Sequence, residues 1–97
     1  MSYYKTDVAH KGLFSSGGTI TTAGNDEVIS IQDGDGNDVS ATSIAIDFLT
    51  NCEINFDESA NYHPFLAGDK VNFDRVTISK LKVKNAASQL RFYGLFV

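Results

Sequence analysis

The sequence predicts an all-β fold: a small antiparallel β-sandwich or jelly roll with an extended N-terminal arm. Three observations predict it. No segment carries a 3.6-residue apolar repeat long enough for a helix. Apolar residues instead alternate at period two in short runs, as in Ile44, Ile46 and Phe48. Clusters of Gly, Asn, Asp and Ser separate these runs roughly every 8–12 residues, the spacing of short antiparallel strands.

The 97 residues make one domain, divided into an arm at 1–18 and a body at 19–97. The arm lacks sustained periodicity and ends in Ser15-Ser16-Gly17-Gly18, which reads as an extended segment or short strand before a turn. Tyr3, Tyr4, Val8, Leu13 and Phe14 give it apolar surface to bury. Thr19–Thr22 is a β-branched run. In 28–32, Ile29 and Ile31 share one side and Ser30 and Gln32 the other. Asp33-Gly34-Asp35-Gly36-Asn37-Asp38 is a dense turn signal. With Ile44, Ile46 and Phe48 set against Ser43, Ala45 and Asp47 beyond it, the pattern predicts a hairpin.

Cys52, Ile54 and Phe56 form the next apolar side, opposite Glu53, Asn55 and Asp57. A long connection over 57–69 follows, with Phe65 and Leu66 expected to plug into the core. Val71 and Phe73, Val76 and Ile78, then Leu81 and Val83 continue the alternation. The parity flips at Asp74-Arg75 and at Ser79-Lys80. A strand keeps its parity, so each flip predicts a bulge or turn. Asn85–Ser88 is a turn and Gln89–Val97 the last strand. There Leu90, Phe92 and Phe96 share one side with Gly94. Tyr93, Leu95 and Val97, on the other side, are apolar as well. A sheet with one wet face does not end this way, so something must cover the second side: the arm or another subunit.

Composition narrows the function. A net charge of −4 argues against a nucleic-acid partner, which needs a basic excess. No apolar run reaches the roughly 18 residues of a membrane span, and the first residues show no secretory h-region. Cys52 is the only cysteine, so no disulfide forms within the chain. In phase with Ile54 and Phe56, it reads as a small buried hydrophobe.

The chemical motifs are weak. Asp33, Asp35 and Asn37 imitate the first ligands of an EF-hand loop, and 34–39 fits one unit of a calcium-binding β-roll. The first match fails because Asp38 stands where glycine belongs and Ile44 where a bidentate carboxylate belongs. The second needs stacked repeats, and the chain has one. Cys52, His63 and Asp57 are the residue types of a thiol hydrolase without its local signature. Asp57 and Glu58 are adjacent, a poor start for two carboxylates facing across a glycosidic bond. His10 and His63 lack metal-site spacing. Lys80, Lys82 and Lys84 line one side of a strand, read as protection of a sheet edge. Tyr62, His63 and Phe65 could stack on a sugar, although the chain has no tryptophan. No catalytic, cofactor or metal residue is assigned, and no enzymatic activity is expected.

The order of elements from Cys52 to Val97 resembles small structural proteins of tailed bacteriophages and prophages, of the head-decoration, head-fibre or tail-accessory type. The residues carrying the likeness are Ile54-Asn55-Phe56, Phe65-Leu66-Ala67-Gly68, Val76-Thr77-Ile78, Leu81-Lys82-Val83 and the closing Tyr93-Gly94-Leu95-Phe96. The resemblance implies a compact β-sandwich in a symmetric oligomer, such as a trimer, bound to other virion proteins. It also implies a virion location after assembly in the host cytoplasm. Alternatives from other classes are a carbohydrate- or receptor-binding module at Tyr62, and a calcium-stabilised adhesion domain at Asp33, Asp35 and Asp38.

Overall fold

A computed structural model describes residues 12–97. Most of the expected arm, with Tyr3, Tyr4 and Val8, lies outside the described residues. The described chain is all-β: β1 (Gly12–Ser15), β2 (Ile20–Thr21), β3 (Glu27–Ser30), β4 (Ala41–Phe48), β5 (Cys52–Phe56), β6 (His63–Phe65), β7 (Lys70–Ile78), β8 (Lys80–Val83) and β9 (Gln89–Phe96). Two antiparallel sheets result. The first has the order β1-β9-β4-β7, with β2 also paired to β9; the second has the order β3-β8-β5-β6.

The alternating residues of both sheets meet in one buried cluster. The first sheet contributes Phe14, Ile44, Ile46, Phe48, Leu90 and Phe92, and the second Cys52, Ile54, Leu81 and Val83. Burying each large side chain contributes about 1.5–3 kcal/mol, which is why the period-two pattern dictates the facing of every strand. Gly94 is the exception that completes the pattern. It lies opposite Phe14 in the β1–β9 register, and a Cβ there would stand 2.8 Å from Phe14 Cζ and 2.9 Å from Ile44 Cα, and would also run into the Ser43 carbonyl oxygen. The missing side chain is the socket for the Phe14 ring, which reaches Phe92 at a centroid distance of 6.2 Å.

Both parity flips are real, with different causes. At the first, Ala41 faces Ile78 but Ser43 faces Asp74, so β7 carries extra residues and bulges, with Arg75 at φ 57°. At the second, the chain leaves the first sheet and enters the second, with Ser79 alone between β7 and β8. The Asp57 carboxylate holds this crossing by accepting from the Ser79 N–H (2.7 Å) and the Lys80 N–H (2.8 Å).

Four expectations are corrected. The predicted hairpin across 33–38 does not form, because β3 pairs with β8 and β4 pairs with β7 and β9. The turn itself closes, with a bridge between Gln32 and Asp38 and Val39 N–H donating to the Ile31 carbonyl at 2.9 Å. The outgoing chain then crosses to the other sheet, where Ala41 and Ile44 are buried. Leu66 does not plug the core; it is 64% exposed, while Phe65 stacks on Phe48 at 4.4 Å. Adjacent residues on an extended chain point to opposite sides, so only one of the two can turn inward. The connection over 57–69 is interrupted by β6, which pairs with β5. Finally, the lysine-bearing β8 is no edge, since it lies between β3 and β5.

Candidate functional site

The outer side of the first sheet is where the expected apolar surplus falls. Leu13 is 75% exposed, Tyr93 61% and Val97 47%. Leu13 faces Leu95 across the β1–β9 pair, and Leu95 faces Ser43 across β9–β4. One step along, Ser15, Tyr93 and Ala45 form the parallel row. Small neighbours leave the large apolar groups standing proud. β1 lies beside β9 in the same sheet, so it enlarges this surface by adding Leu13 rather than covering it. Toward the turn at 33–34, Leu13 and Tyr93 continue into a groove of about 400 Å³ lined also by Gln32, Asp33 and Gly34. The far end of the same side is polar, where Arg91 Nε donates to Asp47 Oδ2 at 2.9 Å.

The outer side of the second sheet is built in the opposite way. Lys80 pairs with Glu58 at 3.4 Å and Lys84 with Glu53 at 3.6 Å. The segment 57–62 folds back over this side as a strap. Its turn places Asp57 and Glu58 at φ 53° and 55°, with Ser59 N–H donating to the Phe56 carbonyl at 3.1 Å. Asn55, 4% exposed, donates its amide to the Ser59 carbonyl beneath the strap, and its Oδ1 has no partner among the described residues. At the far end the Tyr62 hydroxyl donates to Asp26 Oδ1 at 2.6 Å, and Lys84 Nζ lies 5.8 Å from the Tyr62 ring centroid. The hydrogen bond to Asp26 raises the Tyr62 pKa to about 12; desolvation and the negative charges of Asp26 and Glu53 add to it. Tyr62 is thus committed to the strap, through its hydroxyl and through its contact with Lys84.

The other residues singled out by the sequence lie in turns, in the core or on the surface. Asp33 Oδ1 accepts from the N–H groups of Asp35 (2.9 Å) and Asn37 (3.0 Å). The backbone bond from Asn37 is the leading cause holding this carboxyl below its usual pKa. Asp38 accepts from Gln32 Nε2 at 3.0 Å, and Gly36 adopts φ 83°. Asp33 and Asp38 serve the turn through their carboxylates and Asp35 through its N–H, and no group of three or more His, Cys, Asp or Glu side chains converges as a metal site among the described residues. Cys52 is 3% exposed, its thiol directed at the Thr50 carbonyl at 3.3 Å. His63 is exposed on β6, and Asp57 is occupied at the β7–β8 crossing. The three do not come together.

One feature is not announced by any local motif. Phe56, Phe65 and Phe73 meet between the margins of the two sheets, with centroids 6.5 Å apart for Phe56–Phe65 and 5.2 Å for Phe56–Phe73, both edge-to-face. With His63, Pro64 and Val71 they line an open groove of about 640 Å³. Each ring is visible in its own strand pattern, but only the folded register joins them.

Compared with protein-family models, curated proteins and solved structures, the chain matches none of them.

Proposed function

We propose that this chain is a non-enzymatic structural domain, a β-sandwich or jelly roll, that acts by packing against copies of itself and against other proteins of a bacteriophage particle. The arm at 1–18 and the body at 19–97 belong to the same proposal, with Gly12–Ser15 as the part of the arm that joins the sheet. The observation that carries the reading is the exposed apolar surface of Leu13 and Tyr93, in neighbouring rows beside the half-buried Leu95. Contiguous apolar surface on a small domain marks an interaction site, and aromatic residues are enriched in such sites. The occupation of Asp33, Asp57 and Tyr62 in turns, crossings and straps also supports a structural role.

Sedimentation velocity tests the assembly. The parent protein should associate at tens of micromolar, and Leu13→Lys with Tyr93→Lys should lower the order of association while leaving the chain folded. A parent that stays monomeric would remove the reading. Mass spectrometry of purified phage particles tests the location, with the chain expected among the virion proteins.

A further inference from the structure

We propose that β7 is the seam of a symmetric dimer, in which a second copy of this chain lays its own β7 alongside, antiparallel and centred on Asn72. The inference rests on the reading that the chain assembles with itself, but it uses a different surface from the Leu13–Tyr93 side.

Unpaired sheet edges template further pairing unless they are short, bulged or broken by proline. The other margins are blunted in these ways. β1 and β3 have 4 residues each and β2 has 2, while β6 has 3 and contains Pro64. β7 has 9 residues, ends the first sheet, and has no strand partner on its far side among the described residues. Its stretch Lys70–Asp74 pairs regularly with Asp47–Ser43, and only then does the bulge at Arg75 interrupt it.

That regular stretch is complementary to itself. With Asn72 opposite Asn72 of a second copy, Lys70 falls opposite Asp74 and Val71 opposite Phe73, twice each by symmetry. Lys70, Asn72 and Asp74 share the outer side, because their β4 neighbours are Asp47, Ala45 and Ser43. Val71 and Phe73 share the inner side with Ile46 and Ile44. Directly opposed residues share a side, so the charges meet charges and the apolar groups meet apolar groups. Val71 and Phe73 also line the aromatic groove, so the same operation brings two grooves together and shuts each with its copy. A patch that pairs with itself in this way defines a closed twofold interface.

The test uses the full chain carrying Asn72→Cys. Opposed residues of antiparallel strands have Cα atoms about 4.5–5.5 Å apart, within the range a disulfide spans. Mild oxidation should therefore give a covalent dimer, while Thr21→Cys, exposed on β2, should not. Lys70→Asp and Asp74→Lys should each weaken dimerisation about tenfold by opposing like charges, and the double exchange should restore it. The inference is overturned if Asn72→Cys cross-links no better than Thr21→Cys, or if the double exchange is no better than the single ones. It is equally overturned if the Asn72 amide, which points away from β4, resists hydrogen exchange in dilute monomer, because the chain's own arm would then occupy the edge. Cross-linking that persists in Tyr93→Lys separates the two surfaces. Association that survives the edge variants but is lost in Tyr93→Lys leaves the apolar side standing and removes the seam.

Discussion

The outer sides of the two sheets differ more than any other two regions of the molecule. On the second sheet, lysines alternate with core residues, meet glutamates, and lie under or beside a strap pinned by Tyr62 and Asp26. On the first, Leu13 and Tyr93 stand exposed in rows with the half-buried Leu95 and with Ser15, Ser43 and Ala45, and border the groove at the 32–34 turn. One chain has covered and charged most of one side with its own residues and left an apolar patch on part of the other. The physical lesson is that exposure alone says little, since apolar atoms make up much of any protein surface. A patch is informative when the same molecule shows how it finishes a side that is meant to face water.

The largest expected effect attacks the frame beneath the apolar side. Gly94→Ala places a methyl group against the Ser43 carbonyl and the Phe14 ring, and β4 backbone cannot yield without breaking the sheet. The substitution should cost about 3 kcal/mol, at the upper end for overpacking, and should release β1 with Leu13. Urea unfolding reads the loss. Phe14→Ala in the same background should recover little, because the backbone contact remains.

A smaller loss is expected where the strap begins. Asp57→Ala leaves the N–H groups of Ser79 and Lys80 without their acceptor and should cost about 1–2 kcal/mol. Asp57→Asn keeps an oxygen in place and tolerates positive φ, so it should retain most of the stability. Equal losses in both variants would mean that the charge, not the hydrogen bonds, holds the crossing.

The third effect lies in titration. Tyr62, its pKa raised to about 12, should ionise well above the ordinary value near 10 by ultraviolet absorbance, and Asp26→Asn should bring it back toward that value. Because the folded pKa is raised, the strap's contribution is complete below about pH 10 and is lost as pH rises through about 12. A strap that persists above that range, seen as unchanged exchange of the Ser59 amide, would contradict the assigned bond. Smaller still is the effect of Leu13→Lys or Tyr93→Lys on monomer stability, expected within about 0.5 kcal/mol.

How much of this was legible in the sequence depends on whether the cause was local. The burial of Ile44, Ile46, Phe48, Cys52 and Ile54 follows from alternation alone. The two parity flips at Arg75 and Ser79 were visible because a strand cannot change sides without a geometric event. Partner choice is different. The turn at 33–38 closes as its residues dictate, yet the next strand joins the other sheet, a decision made by distant Ile78, Phe73 and Phe92. Whether β8 is an edge is likewise a property of the whole sheet, so the lysine stripe was misplaced. Asn55 looked like a solvent-facing polar residue because nothing local foretells a strap. The bare side was legible in Tyr93, Leu95 and Val97; the contribution of Leu13 was not, because it depends on β1 joining the sheet next to β9.

Hydroxyl-radical footprinting of the parent protein across a concentration series tests the difference between the two sides most directly. Leu13, Tyr93 and Val97 should become protected as concentration rises through tens of micromolar, while Lys82 and Tyr62 keep a constant rate. Oxidation of Tyr93 that stays constant at every concentration, or protection that appears on the lysine side instead, would contradict the account.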